Sequence, residues 1–364
     1  MSKIKIGIIG CGFMSQAIHI PNFIANKKCE IVGVSDINEE LSRLVAKKFN
    51  INFYKSYKEI FKEKSIDAVA IFVPPQLHPY LAMEAIELHK HTLIEKPLAL
   101  NSKTGCELLK IAQKNKVKLM VGYMKRFDPG CQAAYKIIKE LKQTNEIGPI
   151  TYARVYNFNG ANWESGCSSE VIRIASKVKE HVDLENLDIP KFVKLKHKKD
   201  YFGSFTNYSH DINLMRFLLG DPTRIIATNM RKGSHTSCAR TVTIFDYKDF
   251  DVTLETGLEK SYYWNEGVHI YFEEGDMHIK LPFPLFKNVP AKVKLHKNNE
   301  GVKEFDIKWS WGFQEEVNHF IDCIQENKKP LTSADDSIKD IVIGESMYKA
   351  FTKKQAITIN YSNV

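Results

Sequence analysis

Two residues stand where a side chain can act on a bound ligand from a rigid base: Lys96, in Glu95-Lys96-Pro97, and His210, in Ser209-His210-Asp211-Ile212-Asn213. Lys96 follows the apolar run His91 to Ile94 and precedes a proline, so its ammonium projects from a strand end into the crevice that end faces. The same local sequence also suits a surface lysine before a turn. An imidazole titrates near neutrality, so His210 can take a hydroxyl proton and return it. Its plainer alternative is a buried histidine satisfied by backbone groups. Asn213, three residues on, shares the helical face of His210.

A third group belongs to the backbone. Lys5 to Ile9 is a short buried-strand run that stops at Gly10-Cys11-Gly12-Phe13-Met14-Ser15, and a helical pattern with Ala17, Ile18 and Ile20 follows. A second run, Ile31 to Val34, ends in Ser35-Asp36. Strand, glycine turn, helix, strand, acid is the order a dinucleotide needs: the turn lets the backbone approach, and the helix start offers free N–H groups to a pyrophosphate. Ser15 replaces the usual third glycine or alanine, a small change at a packing position. Asp36 suits the adenosine ribose hydroxyls and equally suits a helix N-cap before Asn38-Glu39-Glu40. Its charge repels a 2′-phosphate, and no Lys or Arg follows until Arg43, so NAD is expected over NADP.

The elements that must position these groups fall into two textures. Up to Tyr123, strand-like runs (Ala68 to Val73, His91 to Ile94, Lys118 to Val121) alternate with helical spacing at Glu39 to Phe49, Tyr57 to Phe61, Pro79 to His89 and Ser102 to Asn115. That alternation predicts a parallel, doubly wound α/β sheet with ligands at the strand C-termini. After Arg126 a helix over Pro129 to Leu141 leads into Ile150 to Phe158, and the runs 224–230, 239–247, 251–258, 267–273 and 276–281 read as antiparallel strands. Helical spacing returns over Trp311 to Asn327 and from Ser333 to Phe351, so the second part is α+β. The expected division is 1–124 and 125–364, with an insertion around 163–201.

At 364 residues, two domains are the default, and 43% apolar with 26% charged residues is ordinary for a globular chain. No apolar run approaches the ~20 residues of a membrane span, and Met1-Ser2-Lys3 runs straight into a strand, so a cytoplasmic location is expected. Seven scattered cysteines without a CxxC or Cys/His cluster argue for reduced thiols and against a metal site. The net charge of +9 is spread along the chain, which speaks against nucleic acid as a partner.

Taken together, the chain resembles the glucose-fructose oxidoreductase and inositol dehydrogenase family, Gfo/Idh/MocA. The resemblance is carried by Gly10-Cys11-Gly12 with His19 and Pro21, Glu95-Lys96-Pro97, Gly122-Tyr123 with Arg126-Phe127 and Pro129, and Gly148-Pro149-Ile150. It continues in Ser209 to Asn213 with Phe217-Leu218-Leu219-Gly220 and in the tail from Glu316 to Asp336. It implies an N-terminal Rossmann domain, a C-terminal open, mostly antiparallel mixed sheet, and an NAD-dependent oxidoreductase interconverting a secondary alcohol and a ketone on a sugar, cyclitol or nucleotide-sugar. Lys96 and His210 would then handle the hydroxyl proton. Gly10, Gly12, Phe13, Met14, Asp36, Val73, Pro74, His78, Glu95 and Lys96 would bind the cofactor, and Tyr123, Arg126, Asn207 and Asn213 the substrate. A homodimer or homotetramer paired through the sheet face is the implied assembly.

The sequence departs from that pattern in two places. Thr206 stands where many members carry an aspartate, and Pro75 where an asparagine is frequent. These keep open a cofactor-binding sensor that has lost turnover, and an enzyme with tightly bound, recycled NAD. The lysines of 163–201 (Lys177, Lys179, Lys191, Lys194, Lys196, Lys198 and Lys199, with His181 and His197) read either as a solvated insertion or as a lid for a phosphorylated or nucleotide-linked sugar.

Overall fold

The structure is a computed structural model that describes residues 2–160, 164, 171–174, 187–232, 239–258 and 263–362. Trp163, Lys177, Lys179 and His181, part of the expected lid, lie outside the described residues.

The first apolar runs are buried on both faces and therefore assemble in parallel. They form β1 (Ile4–Ile9), β2 (Cys29–Ser35), β3 (Asn52–Phe53), β4 (Ala68–Ile71), β5 (His91–Glu95) and β6 (Leu119–Gly122), in the order β3-β2-β1-β4-β5-β6. The order reverses between β1 and β4, which opens a crevice at their C-terminal ends. The expected helix after the glycine turn is present, but it opens with a π-helical turn, Ser15–His19, before Ile20–Ala25.

The second sheet has nine strands: β7 (Ile150–Asn159), β8 (Arg224–Lys232), β9 (Ala239–Asp246), β10 (Asp251–Leu258), β11 (Asn265–Phe272), β12 (Gly275–Leu281), β13 (Lys292–Lys297), β14 (Gly301–Glu304) and β15 (Ile357–Thr358). Among the described residues only β7 and β10 of this sheet pair in parallel, at the centre of the order β14-β13-β12-β11-β7-β10-β9-β8-β15. Strands β13 to β15 add to those the sequence pattern marks. On β7 the inward positions read Ala153, Val155, Asn157, and that third residue is polar at a buried place.

The inner face of this sheet is covered by the helix Lys198–Leu219, which starts well before the Leu214 pattern expected behind His210. Tyr201, Phe205, Tyr208, Gly203 and Ser204 are all buried, so the helix has no polar stripe from which its start could be read. The last helices, Gly312–Gln325 and Ala334–Lys353, return to the first sheet. There Val121 N–H donates to Thr332 O at 2.9 Å and Thr332 Oγ1 to Val121 O at 2.6 Å, which pins the returning chain beside β6. Among the described residues, no helix is long and apolar enough to cross a membrane.

Candidate active site

At the glycine turn, Gly10 has φ +96°, and a Cβ there would stand 2.2 Å from Phe72 O, so only glycine fits. Gly12 faces open space, with no atom within 4 Å of an added Cβ. Asp36 closes the turn from below, accepting from Cys11 N–H (2.7 Å) and Asn38 N–H (2.8 Å), one on each carboxylate oxygen. A tight turn, an open side above Gly12 and a carboxylate with lone pairs to spare fit a dinucleotide. Phe13 and Met14 lie against the buried cluster of Ala17, Ile18, Trp311 and Phe313.

Val73 and Pro74 follow β4 at the crevice. His78, fully buried, places its ring between Val73 O (2.9 Å) and Pro97 O (2.7 Å). Burial holds this imidazole below its ordinary range. Its side chain therefore joins the two loops behind the crevice instead of reaching into it. Glu95 is also committed: Oε1 meets His19 Nε2 at 2.7 Å and Oε2 accepts from Lys96 N–H at 3.1 Å. Burial pushes the Glu95 carboxyl up, but the His19 contact outweighs it and the group sits below the usual glutamate range.

Lys96 and His210 come together. Lys96 Nζ donates to Thr206 O at 2.8 Å, one helical turn before His210. Burial, followed by the ammonium charges of Lys96 and Lys125, holds His210 well below its ordinary range. The imidazole is therefore neutral at pH 7, the form able to accept a proton. Thr206 supplies no charge: its hydroxyl bonds back to Phe202 O (2.9 Å) and Gly203 O (3.2 Å), while its carbonyl holds the lysine. The Tyr123 ring meets the His210 ring edge-on at 5.9 Å, so it steadies the imidazole.

Around His210 lies a set of buried polar atoms without a partner: Asn157 Oδ1, Asn159 Oδ1, Asn207 Nδ2, His210 Nδ1 and Asp211 Oδ2. Asn159 reaches Asn207 Oδ1 at 3.5 Å, and Asn157 donates to Asp211 Oδ1 at 2.8 Å, so the atoms belong to one patch between β7 and the helix. Sequence reasoning singled out Asn207 and missed Asn157, Asn159, Lys125, Asp211 and Glu266. Lys125 is caged: its ammonium meets Asp211 Oδ1 at 2.8 Å and also contacts Glu266, which accepts from Trp264 Nε1 at 2.9 Å. Burial pushes the lysine down, but the two carboxylates outweigh it and hold it above its usual range. A polar residue in the inward register of β7, opposite Glu266 on β11, was the available signal.

Arg126 and Asn213 sit elsewhere. Arg126 is buried against Asp336 (2.8 Å) and over the Phe217 ring, and Asn213 donates to Asp340 Oδ2 at 2.7 Å. Both side chains are spent in a network with Arg216, which meets Asp340 (2.6 Å), Asp221 (2.8 Å) and Asp336 (2.9 Å). The helical-turn argument placed Asn213 beside His210; it points instead to the helix Ala334–Lys353.

The fold is a six-stranded parallel Rossmann sheet followed by a second, mixed sheet, with a crevice at the strand ends whose glycine turn fits a dinucleotide. Residues 4–123 match the model of the Gfo/Idh/MocA family, described as oxidoreductase family, NAD-binding Rossmann fold. It is 32% identical over 147 residues to an uncharacterized oxidoreductase of Bacillus subtilis, covering 40% of this chain and 42% of that one. The chain thus spans less than half the length of the first relatives it matches. Against an inositol 2-dehydrogenase of Rhizobium meliloti it is 21% identical, over 98% of this chain and 99% of the relative. The fold is that of a solved putative NADPH-dependent oxidoreductase from Desulfitobacterium hafniense, with a TM-score of 0.79, 15% identity and coverage of 99% and 98%.

Proposed function

We propose that the chain is an NAD-dependent dehydrogenase or reductase acting on a secondary alcohol of a neutral, polyhydroxylated ring, a cyclitol or sugar. The observation that carries this reading is the unpartnered polar patch around His210, within reach of the Lys96 charge. A buried polar atom without a partner costs ~1–3 kcal/mol, so several around one imidazole call for a ligand rich in hydroxyls. Asn157, Asn159 and Asp211 would accept from ring hydroxyls, and Asn207 would donate. The caged state of Lys125 leaves the floor with two carboxylates for one ammonium, an arrangement that disfavours a phosphate on the reacting ring. The similarity to the inositol 2-dehydrogenase points the same way.

Gly10, Gly12, Asp36 and the strand-end residues Val73, Pro74 and Glu95 would hold the cofactor, which when bound supplies the hydride acceptor. Lys96 then exchanges Thr206 O for the reacting oxygen and stabilises its developing charge. His210, neutral at rest, takes the hydroxyl proton and returns it in the reverse direction. Asp36 repels a 2′-phosphate, and Arg43, the first cation after it, is paired with Glu39 at 2.6 Å and stacked on Phe53. NAD is therefore the expected cofactor, in a cytoplasmic homo-oligomer.

The test is to add NAD to purified protein, offer cyclitols, hexoses, sugar phosphates and nucleotide-sugars, and follow NADH absorbance. Turnover on neutral polyols that disappears in Lys96→Ala and His210→Ala supports the reading. Tight NAD binding with no turnover on any of them overturns it in favour of a cofactor-binding sensor, the role that Thr206 would suit.

A further inference from the structure

One buried acid takes no part in the chemistry above. Glu316, on the helix Gly312–Gln325, is 0% exposed, and neither of its carboxyl oxygens has a partner. It lies over Gly122, its oxygens 3.5 and 3.6 Å from where a Cβ on that glycine would stand. Gly122 pairs with Glu95 across β5 and β6, so the two glutamates are neighbours at the strand ends. They are unequally served. Glu95 has His19 and the Lys96 N–H, whereas neither oxygen of Glu316 has a partner and the charge that acts on it is that of Glu95.

Burial, and then the Glu95 carboxylate, push the Glu316 acid well above the glutamate range, so it keeps its proton at neutral pH. An ionised carboxylate in such a place, without a hydrogen bond, is too costly to persist. Two neighbouring acids that differ in burial and in partners thus divide the roles, one charged and one neutral. The other groups acting on Glu95 are His19, Lys96 and His78.

We propose that Glu95 and Glu316 carry a single negative charge between them before the cofactor binds, and that Glu316 releases its proton when an oxidised nicotinamide brings its positive charge to the end of β5. The O–H bond of Glu316 breaks, its electron pair stays on the carboxylate, and the proton leaves to solvent. Reduced nicotinamide carries no such charge and leaves the acid intact. Glu316 is therefore a positioning residue acting through Glu95, and it makes the relative affinity for the two cofactor forms depend on pH. This inference rests on the cofactor-binding reading above.

The experiment is calorimetric titration of the full chain with NAD and with NADH, each in two buffers of different ionisation enthalpy, which counts protons exchanged. The expected result is proton release on binding NAD, approaching one per site, and none for NADH, with NAD affinity rising by up to about tenfold per pH unit. Glu316→Gln, which matches the shape of the neutral acid, binds both forms with no proton release and no pH dependence. A variant-free check is the infrared carbonyl band of a protonated carboxyl in the parent, which NAD removes and NADH preserves. Binding of both forms with equal proton counts, or a Glu316→Gln protein that releases as many protons as the parent, overturns the inference alone. Failure of either form to bind overturns the cofactor reading together with it.

Discussion

The helix Lys198–Leu219 carries two buried polar clusters, centred nearly two turns apart at His210 and Arg216, and they are built on different terms. Around Arg216 every charge has a partner: Asp221, Asp336 and Asp340 surround one guanidinium, Asn213 completes Asp340, and Lys339 meets Asp221 at 2.6 Å. Around His210 the side chains of Asn157, Asn159, Asn207 and Asp211 each leave an atom unpartnered. A cluster whose charges are paired stabilises a fold even where a single atom such as Arg126 Nε stays unmet; one with an unmet atom on every side chain is paid for only when something else arrives to complete it. Burial and polarity are alike in the two places, so it is the larger share of unmet hydrogen bonds around His210 that marks the site.

The sharpest way to break this contrast is Arg216→Ala. Removing one partner of a buried charge set leaves Asp340 without its cation, while Asp336 keeps Arg126, an effect of roughly 3–5 kcal/mol on stability. Denaturant unfolding should show that loss, and cofactor binding by the fraction that remains folded should be unaltered. A variant as stable as the parent would mean that the network is not what ties the two helices together.

Next in size is the effect at the reacting oxygen. Lys96→Ala is expected to lower kcat by about a hundredfold to a thousandfold, the usual loss for one oxyanion donor of ~3 kcal/mol, with stability within about 1 kcal/mol of the parent. His210→Ala should fall by a similar factor, within the ~10²–10⁴ of a general base. Because burial and two ammoniums keep His210 below its ordinary range, the kcat/KM of the parent should be flat through neutral pH. It should decline only on the acid side, below the ordinary histidine value of ~6.5. Rate measurements from acid to neutral pH check the sign: an activity that rises only above neutrality would mean that the imidazole is not the base.

How much of this was legible beforehand follows the same division. The first sheet could be read except for β3, since a run buried on both faces announces itself in one dimension, and Gly10 and Asp36 fall at the strand ends with the spacing their backbone task requires. Lys96 and His210 were legible because a proline and a motif fix their places. Arg126 and Asn213 looked like site residues for an equally local reason, yet their partners, Asp336 and Asp340, lie far along the chain. The cage around Lys125 could not be read at all: it draws on a 3₁₀ turn, the helix and β11, which are brought together only by folding. The start of the helix at Lys198 was hidden because apolar and small residues, Tyr201, Gly203, Ser204 and Phe205, are buried in succession there, and β3 and β15, at two residues each, are too short to carry a period.

The contrast is sharpened again by trimming the unsaturated patch. Asn207→Ala removes an atom that lacks a partner and one long contact of 3.5 Å, so the loss of stability should be about 1 kcal/mol or less, and Asn157→Ala, which also forfeits its bond to Asp211, should cost roughly 1.5–3 kcal/mol. Substrate binding should nonetheless weaken, with KM rising about tenfold for each lost hydrogen bond of ~1.4 kcal/mol. Steady-state kinetics beside a denaturation curve decides it. Loss of stability without a change in KM would place these asparagines with the Arg216 network instead.

The smallest effect expected is at the cofactor end, and it tests whether a residue can serve both kinds of cluster. Asp36 accepts from Cys11 and Asn38 N–H groups, so it closes the turn as the network aspartates close theirs, and it keeps lone pairs for a ribose. Asp36→Asn retains one amide oxygen as an acceptor and removes the charge. NAD affinity should fall by only severalfold, the loss of one or two hydrogen bonds of ~1 kcal/mol, while NADP, relieved of the repulsion, should gain. The ratio of the two dissociation constants is therefore the quantity to measure, because a general weakening of the turn would move both in the same direction and leave the ratio alone. An unchanged ratio would assign Asp36 wholly to the backbone it holds, and the preference for NAD would need another source along the strand ends.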